Sequence, residues 1–288
     1  MELALPILFA VFLWWFSTGV IVYVDGLPKS TFGWTMIWST TILVCALIGF
    51  AASTQMPTVE GAYLAFVCGL LCWAWQEVSF LTGHITGPRR SAQPDGAHGL
   101  QRLWLAIQTI LYHEIAIVLM GIGLVWLAWG APNTVGLWTY AILWIMRLSA
   151  KINVYLGVTN HAAEFLPDEV AYLQSYFGKH PMNLFFPLSV TVSTVFVVWL
   201  FTAATAAGAT PFETVGTALL ASLLALAVLE HWFLIIPLPA TQLWAWGLVS
   251  HTSSRAKTAS STPTEINETK RSRSQRSAAP VPPPYPAG

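Results

Sequence analysis

Seven ionisable side chains stand where a lipid-embedded helix would have to justify them: Glu77, His113, Glu114, Arg147, Lys151, Glu230 and His231 all fall inside long apolar runs. A charge near the bilayer centre costs at least a few kcal/mol unless it is paired or hydrated, so such groups pair with one another, line a pathway or hold a ligand. Their chemistry allows each of these. Arg147 and Lys151, one helical turn apart, would neutralise two of the three carboxylates and join the helices that carry them. Asn153, on the same run, adds an amide to this polar cluster. A neutral imidazole from His113 or His231, or from His84 just beyond the third run, would instead ligate the metal of a large flat pigment. Glycines and alanines beside His113 suit such a ring. A di-iron carboxylate site fits less well. Its Glu-x-x-His repeat is absent, since Glu114 directly follows His113 and Glu230 directly precedes His231, which turns each pair about 100° apart. A proton pathway also remains open, although the chain shows no repeated halves of the kind transporters use.

The elements that must position these groups are membrane spans. Only 9% of the 288 residues are charged and 55% are hydrophobic, a balance that excludes an ordinary soluble domain. Apolar runs at 3–24, 34–52, 59–81, 104–129, 135–156, 184–206 and 212–236 each approach the roughly 20 residues a spanning helix needs. The chain therefore reads as an all-α, polytopic integral membrane protein of seven transmembrane helices in contact with the lipid bilayer. On these bounds His113 and Glu114 lie about 14 Å from the start of the fourth helix, close to the midplane of a core about 30 Å thick. The first run has neither a basic flank nor a small-residue cleavage site and is read as retained. A further apolar stretch, 238–249, is too short to span and reads as interfacial.

Lys29, Arg89, Arg90, Arg102, Arg147, Lys151, Lys179, Arg255, Lys257, Lys270, Arg271, Arg273 and Arg276 make up all 13 basic residues. With seven spans every one falls on the side of the odd-numbered connections and the tail. That asymmetry puts the amino terminus outside and the carboxyl terminus in the cytoplasm. Residues 1–250 form the membrane domain, with cytoplasmic loops at 82–103 and 157–183. The first loop reads as a basic anchor for anionic headgroups. The second holds a helix entered at Pro167, with Val170, Leu173 and Phe177 on one face. Residues 251–288 change abruptly to Ser, Thr, Pro and basic residues and read as a disordered tail. The tail gives no sign of nucleic-acid binding. Cys45, Cys68 and Cys72 fall within apolar runs and read as packing residues.

Longer stretches carry a resemblance. Trp-Gln-Glu-Val-Ser-Phe-Leu-Thr-Gly-His-Ile-Thr-Gly-Pro-Arg-Arg (75–90), Tyr-His-Glu-Ile-Ala-Ile (112–117) and Met-Arg-Leu-Ser-Ala-Lys-Ile-Asn-Val-Tyr-Leu-Gly-Val (146–158) are three of them. Phe-Leu-Pro-Asp-Glu (165–169), Ser-Tyr-Phe-Gly-Lys-His-Pro-Met-Asn-Leu (175–184) and Leu-Glu-His-Trp-Phe-Leu (229–234) complete the set. Together they resemble the PuhE family, photosynthetic complex assembly proteins of phototrophic proteobacteria, over about residues 1 to 250. The resemblance implies a multi-pass protein of the inner, intracytoplasmic-type membrane, its amino terminus then periplasmic, associated with reaction-centre and light-harvesting subunits and with pigment-synthesis proteins. If the polar cluster binds a ligand, the resemblance makes bacteriochlorophyll or a related magnesium tetrapyrrole the expected one; it brings no established reaction and no catalytic residues. The function expected is therefore that of a membrane assembly factor. A membrane enzyme or metal-dependent subunit of tetrapyrrole metabolism, and a proton-coupled transporter, are the alternatives.

Overall fold

The computed structural model describes residues 3–161, 166–236 and 240–250. They form seven α-helices: α1 (Ala4–Asp25), α2 (Phe32–Ser53), α3 (Val59–Leu81), α4 (Gly99–Leu127), α5 (Val135–Leu156), α6 (Phe185–Ala204) and α7 (Pro211–Phe233). No strand occurs among the described residues. Six of the helices are long and apolar enough to cross a membrane. The other, α5, matches them at 22 residues but carries both Arg147 and Lys151. It packs one face against α3, α7 and α4, where those cations find acids. The expected tail, 251–288, falls outside the described residues.

The bundle is organised around α3 and α7, whose apolar stretches are about two-thirds buried, against 17% for α1, α2, α4 and α6. Small residues allow this. Gly69 of α3 meets the backbone of Gly136 on α5, and a Cβ on Gly136 would come within 2.6 Å of the Ala65 carbonyl. Close backbone approach through glycine is how helices associate where lipid removes the hydrophobic driving force. The outer helices present Leu, Ile, Val, Phe and Trp to the surroundings, as lipid contact requires.

Two ends are distinguished by their connections. At one, turns are short. Thr210 and Glu213 form a capping box around Pro211 at the start of α7. The Asn133 amide donates to the Ser53, Met56 and Gly61 carbonyls at 3.0–3.1 Å, locking the α2–α3 turn to the α4–α5 turn. The other end carries the long loops and the described Lys and Arg residues, and is called the basic end below.

There the structure departs from expectation in three places. First, α4 begins at Gly99, not Trp104, and its early turns run beside the loop after α3. The His113 ring therefore meets Phe80, in the last turn of α3, with centroids 4.4 Å apart. The His113 backbone N–H donates to the Thr86 carbonyl at 2.9 Å. His113 thus lies halfway along α4, level with the last turn of α3. Second, the segment entered at Pro167 is a 3₁₀ helix, Asp168–Tyr176. Its period of three buries Val170, Leu173 and Tyr176. Phe177, expected on that face, is partly buried against the same cluster and also stacks on His161. The helix packs on Phe80 and Leu81 of the bundle itself. Third, two arginines of the 82–103 loop region are occupied internally. Arg89 donates to the Tyr176 hydroxyl at 2.6 Å. Arg102 donates to the Tyr155 and Tyr176 carbonyls and lies over the Tyr155 ring; Arg90 is exposed.

The interfacial stretch after α7 is described from Ala240 and forms a 3₁₀ turn, Ala240–Trp244. It lies along α1. Trp15 donates to the Leu243 carbonyl, Trp244 donates to the Trp15 carbonyl, and the Trp246 ring covers Gly19, where any Cβ would overlap it.

Candidate functional site

At the basic end α3, α4, α5 and α7 bring the ionisable groups together. Arg147 Nη2 lies 3.1 Å from Glu77 Oε2, and Lys151 Nζ lies 2.6 Å from Glu114 Oε1. The two cations are one turn apart on α5 and reach different helices, Arg147 to α3 and Lys151 to α4. The third acid, Glu230, takes no ion pair. It accepts the Trp14 indole N–H at 2.7 Å, a tie from α1 to α7 that only a sequence-distant contact reveals.

Glu77, Arg147, Lys151 and Glu230 line a cavity of about 840 Å³ between α1, α3, α4, α5 and α7, with the 3₁₀ segment and Trp244 adding to its walls. Its apolar lining includes Ile21, Leu70, Trp73, Phe80, Leu143 and Leu223; its polar groups include Glu77, Arg147, Lys151 and Glu230. Arg147 keeps 46% of its side-chain surface accessible, and Glu230 is likewise exposed. Both line the cavity. A guanidinium has five N–H donors and a carboxylate about four acceptor sites. Hydrogen-bonding capacity therefore remains for a guest. The volume lies in the range of cofactor and small-molecule pockets, and the pattern of apolar walls with few polar groups is theirs too.

The histidines divide sharply. His113 is fully buried and neither ring nitrogen has a hydrogen-bond partner. It is not among the cavity-lining residues, while Phe80, on which it packs, is. His231 lines the cavity, but both nitrogens are engaged. Nδ1 lies 2.9 Å from the Ala227 carbonyl, which can only accept, so Nδ1 carries the proton and Nε2 accepts the Ser149 hydroxyl at 2.9 Å. His84 lies in the loop, exposed, with Nδ1 2.9 Å from the Thr82 hydroxyl. Asn153 is fully buried but away from the ion pairs. It donates to the Ser149 carbonyl and the Ser189 hydroxyl, and its side-chain oxygen accepts from Asn183, whose own oxygen caps α6 at Phe185 and Phe186.

Sequence reading missed three contributors: Trp14, Asn160 and His161. Asn160 donates to the Phe233 and Ile236 carbonyls and so ties the strap after α5 to the end of α7. His161 follows it on that strap, lines the cavity, and places Nε2 3.2 Å from the Gly178 carbonyl. No group of three or more His, Cys, Asp or Glu side chains able to hold a bare metal ion occurs among the described residues.

Fold and site together define a polytopic helical membrane protein with an ion-paired, mostly apolar cavity at one end of the bundle. The chain belongs to the DUF3623 family of proteins of unknown function, whose signature matches residues 1–255. It is 38% identical over 245 residues to an uncharacterised 30.4 kDa protein in the puhA 5′ region of Rhodobacter capsulatus, a match covering 83% of this chain and 89% of that protein. No solved structure matches the chain.

Proposed function

We propose that this protein is an assembly factor of photosynthetic membranes that holds bacteriochlorophyll or a precursor tetrapyrrole for reaction-centre or light-harvesting subunits. The observation that carries this reading is the cavity of about 840 Å³, apolar on most of its wall and polar at Arg147 and Glu230. The similarity to a protein encoded beside puhA supports the photosynthetic context. A magnesium tetrapyrrole fits this donor set in a specific way. It carries its own metal, so it would ask the protein for apolar walls and a single nitrogen base rather than a cage of ligands. When bound it would supply light absorption and a delivered pigment, not a reaction of this chain. The protein's own residues enclose the ring, keep lipid and water from it, and meet its polar edge with Arg147 and Glu230.

In this reading the chain sits in the inner membrane with the basic end cytoplasmic, on the side of its Lys and Arg residues. A cavity at that end would be within reach of soluble and peripheral pigment-synthesis proteins. The test is crosslinking followed by purification from phototrophically grown membranes. Recovery of reaction-centre, light-harvesting or pigment-synthesis subunits is expected. A well-folded protein that crosslinks to none of them, in cells accumulating complexes normally, would overturn the assignment.

A further inference from the structure

The structure assigns His161 as the axial ligand of a metallotetrapyrrole in the cavity, a role that rests on the pigment-handling reading above. Three observations converge on it. The first is its tautomer: the Gly178 carbonyl, 3.2 Å from Nε2, can only accept, so Nε2 bears the proton and Nδ1 keeps a lone pair. An imidazole whose second nitrogen donates to a backbone carbonyl is the usual arrangement of a metal ligand.

The second is rigidity. The ring stacks on Phe177 at 5.7 Å and 14° between planes. The strap behind it is fixed at both ends: Asn160 bonds to the end of α7, and Gly157 and Gly178 touch backbone to backbone, Gly178 N–H donating to the Val154 carbonyl at 2.9 Å. Gly157 has φ +122°, a conformation that side chains rarely adopt, so the direction of the strap is set by glycine.

The third is elimination within the cavity. Among the described histidines His231 has both nitrogens engaged, and His84, His98, His113 and His180 are not in the lining. The lining therefore offers one free imidazole, and the described residues contain no cluster of three metal-binding side chains. One imidazole does not hold a bare divalent ion against water, because structural and catalytic sites use three or four protein ligands. It does suffice for a metal that arrives with its equatorial positions filled. The class of ligand follows: a flat, apolar, metal-bearing macrocycle, and not a free ion.

The experiment compares magnesium bacteriochlorophyll with its metal-free counterpart, titrated into the full-length protein in mild detergent, for wild type, His161→Ala and His113→Phe. Binding is followed by fluorescence quenching and by the absorption shift that accompanies axial ligation. Wild type is expected to bind the magnesium form about tenfold or more tightly than the metal-free form. His161→Ala should bind the two equally, without the ligation shift, and added imidazole should restore the shift. His113→Phe should behave as wild type. Loss of the metal preference in His113→Phe with its retention in His161→Ala would overturn the assignment. So would equal binding of both macrocycles by wild type, which leaves the cavity reading standing. Failure of wild type to bind either macrocycle would overturn the cavity reading and this assignment with it. Unchanged elution and melting of His161→Ala separate a lost ligand from a lost fold.

Discussion

Replacing Lys151 by methionine strands Glu114 in the bundle, and the structure sets the size of the effect. The Nζ–Oε1 separation is 2.6 Å and both side chains are about four-fifths buried. At that distance the attraction is about 6 kcal/mol with an effective dielectric of about 20. Desolvation of both charges offsets part of it, and removing one partner of a buried pair costs about 3–5 kcal/mol. Lys151→Met and Glu114→Gln should therefore each destabilise by about 3 kcal/mol, while the double variant should lie within about 1 kcal/mol of wild type, because two neutral groups of similar shape replace the pair. Reversible unfolding in mixed micelles, with the four proteins compared in one denaturant series, measures this cycle. Additive losses, with the double variant near 6 kcal/mol below wild type, would refute a direct buried pair.

Other consequences can be measured in the same assay. Trp14→Phe removes the indole donor 2.7 Å from Glu230 and should cost about 1–3 kcal/mol, the worth of a hydrogen bond to a carboxylate, while leaving α1 helical by circular dichroism. Asn133→Ala leaves the Ser53, Met56 and Gly61 carbonyls without their shared donor and should cost about 2–3 kcal/mol, read as a lower melting temperature. Gly87→Ala drives a Cβ into the α4 backbone at Gln108 and Thr109 and should lower stability by at least about 1–3 kcal/mol, with limited proteolysis opening first in the loop after α3. His113→Phe removes two buried, unpartnered nitrogens while keeping an aromatic ring against Phe80, and should match or exceed wild-type stability.

The helices were legible because each buries its backbone polar groups internally and advertises itself as an apolar run of about 20 residues. The basic residues were legible as a set, since their side depends only on the number of spans. Helix rotation was not: Arg147 and Lys151 are adjacent on α5, and only packing decides that one reaches Glu77 and the other Glu114. The start of α4 was misjudged because its polar first turns, with Gln101 and Arg102, read as loop. They are helical, and the Arg102 side chain is held there by the Tyr155 and Tyr176 carbonyls. The 3₁₀ helix was expected as α because both forms bury Val170 and Leu173, and the periods separate only at Tyr176. His161 gave no signal at all. It sits in a polar connection, and what singles it out is a carbonyl 17 residues further on.

The account turns on whether the cavity holds pigment. The most direct measurement is the absorption spectrum of the protein purified in mild detergent from cells making bacteriochlorophyll, beside an Ala150→Phe variant that fills the cavity from α5. A stoichiometric tetrapyrrole in wild type, absent from the folded Ala150→Phe protein, is the predicted result. Folded wild-type protein without pigment, or pigment retained equally when the cavity is filled, would contradict it.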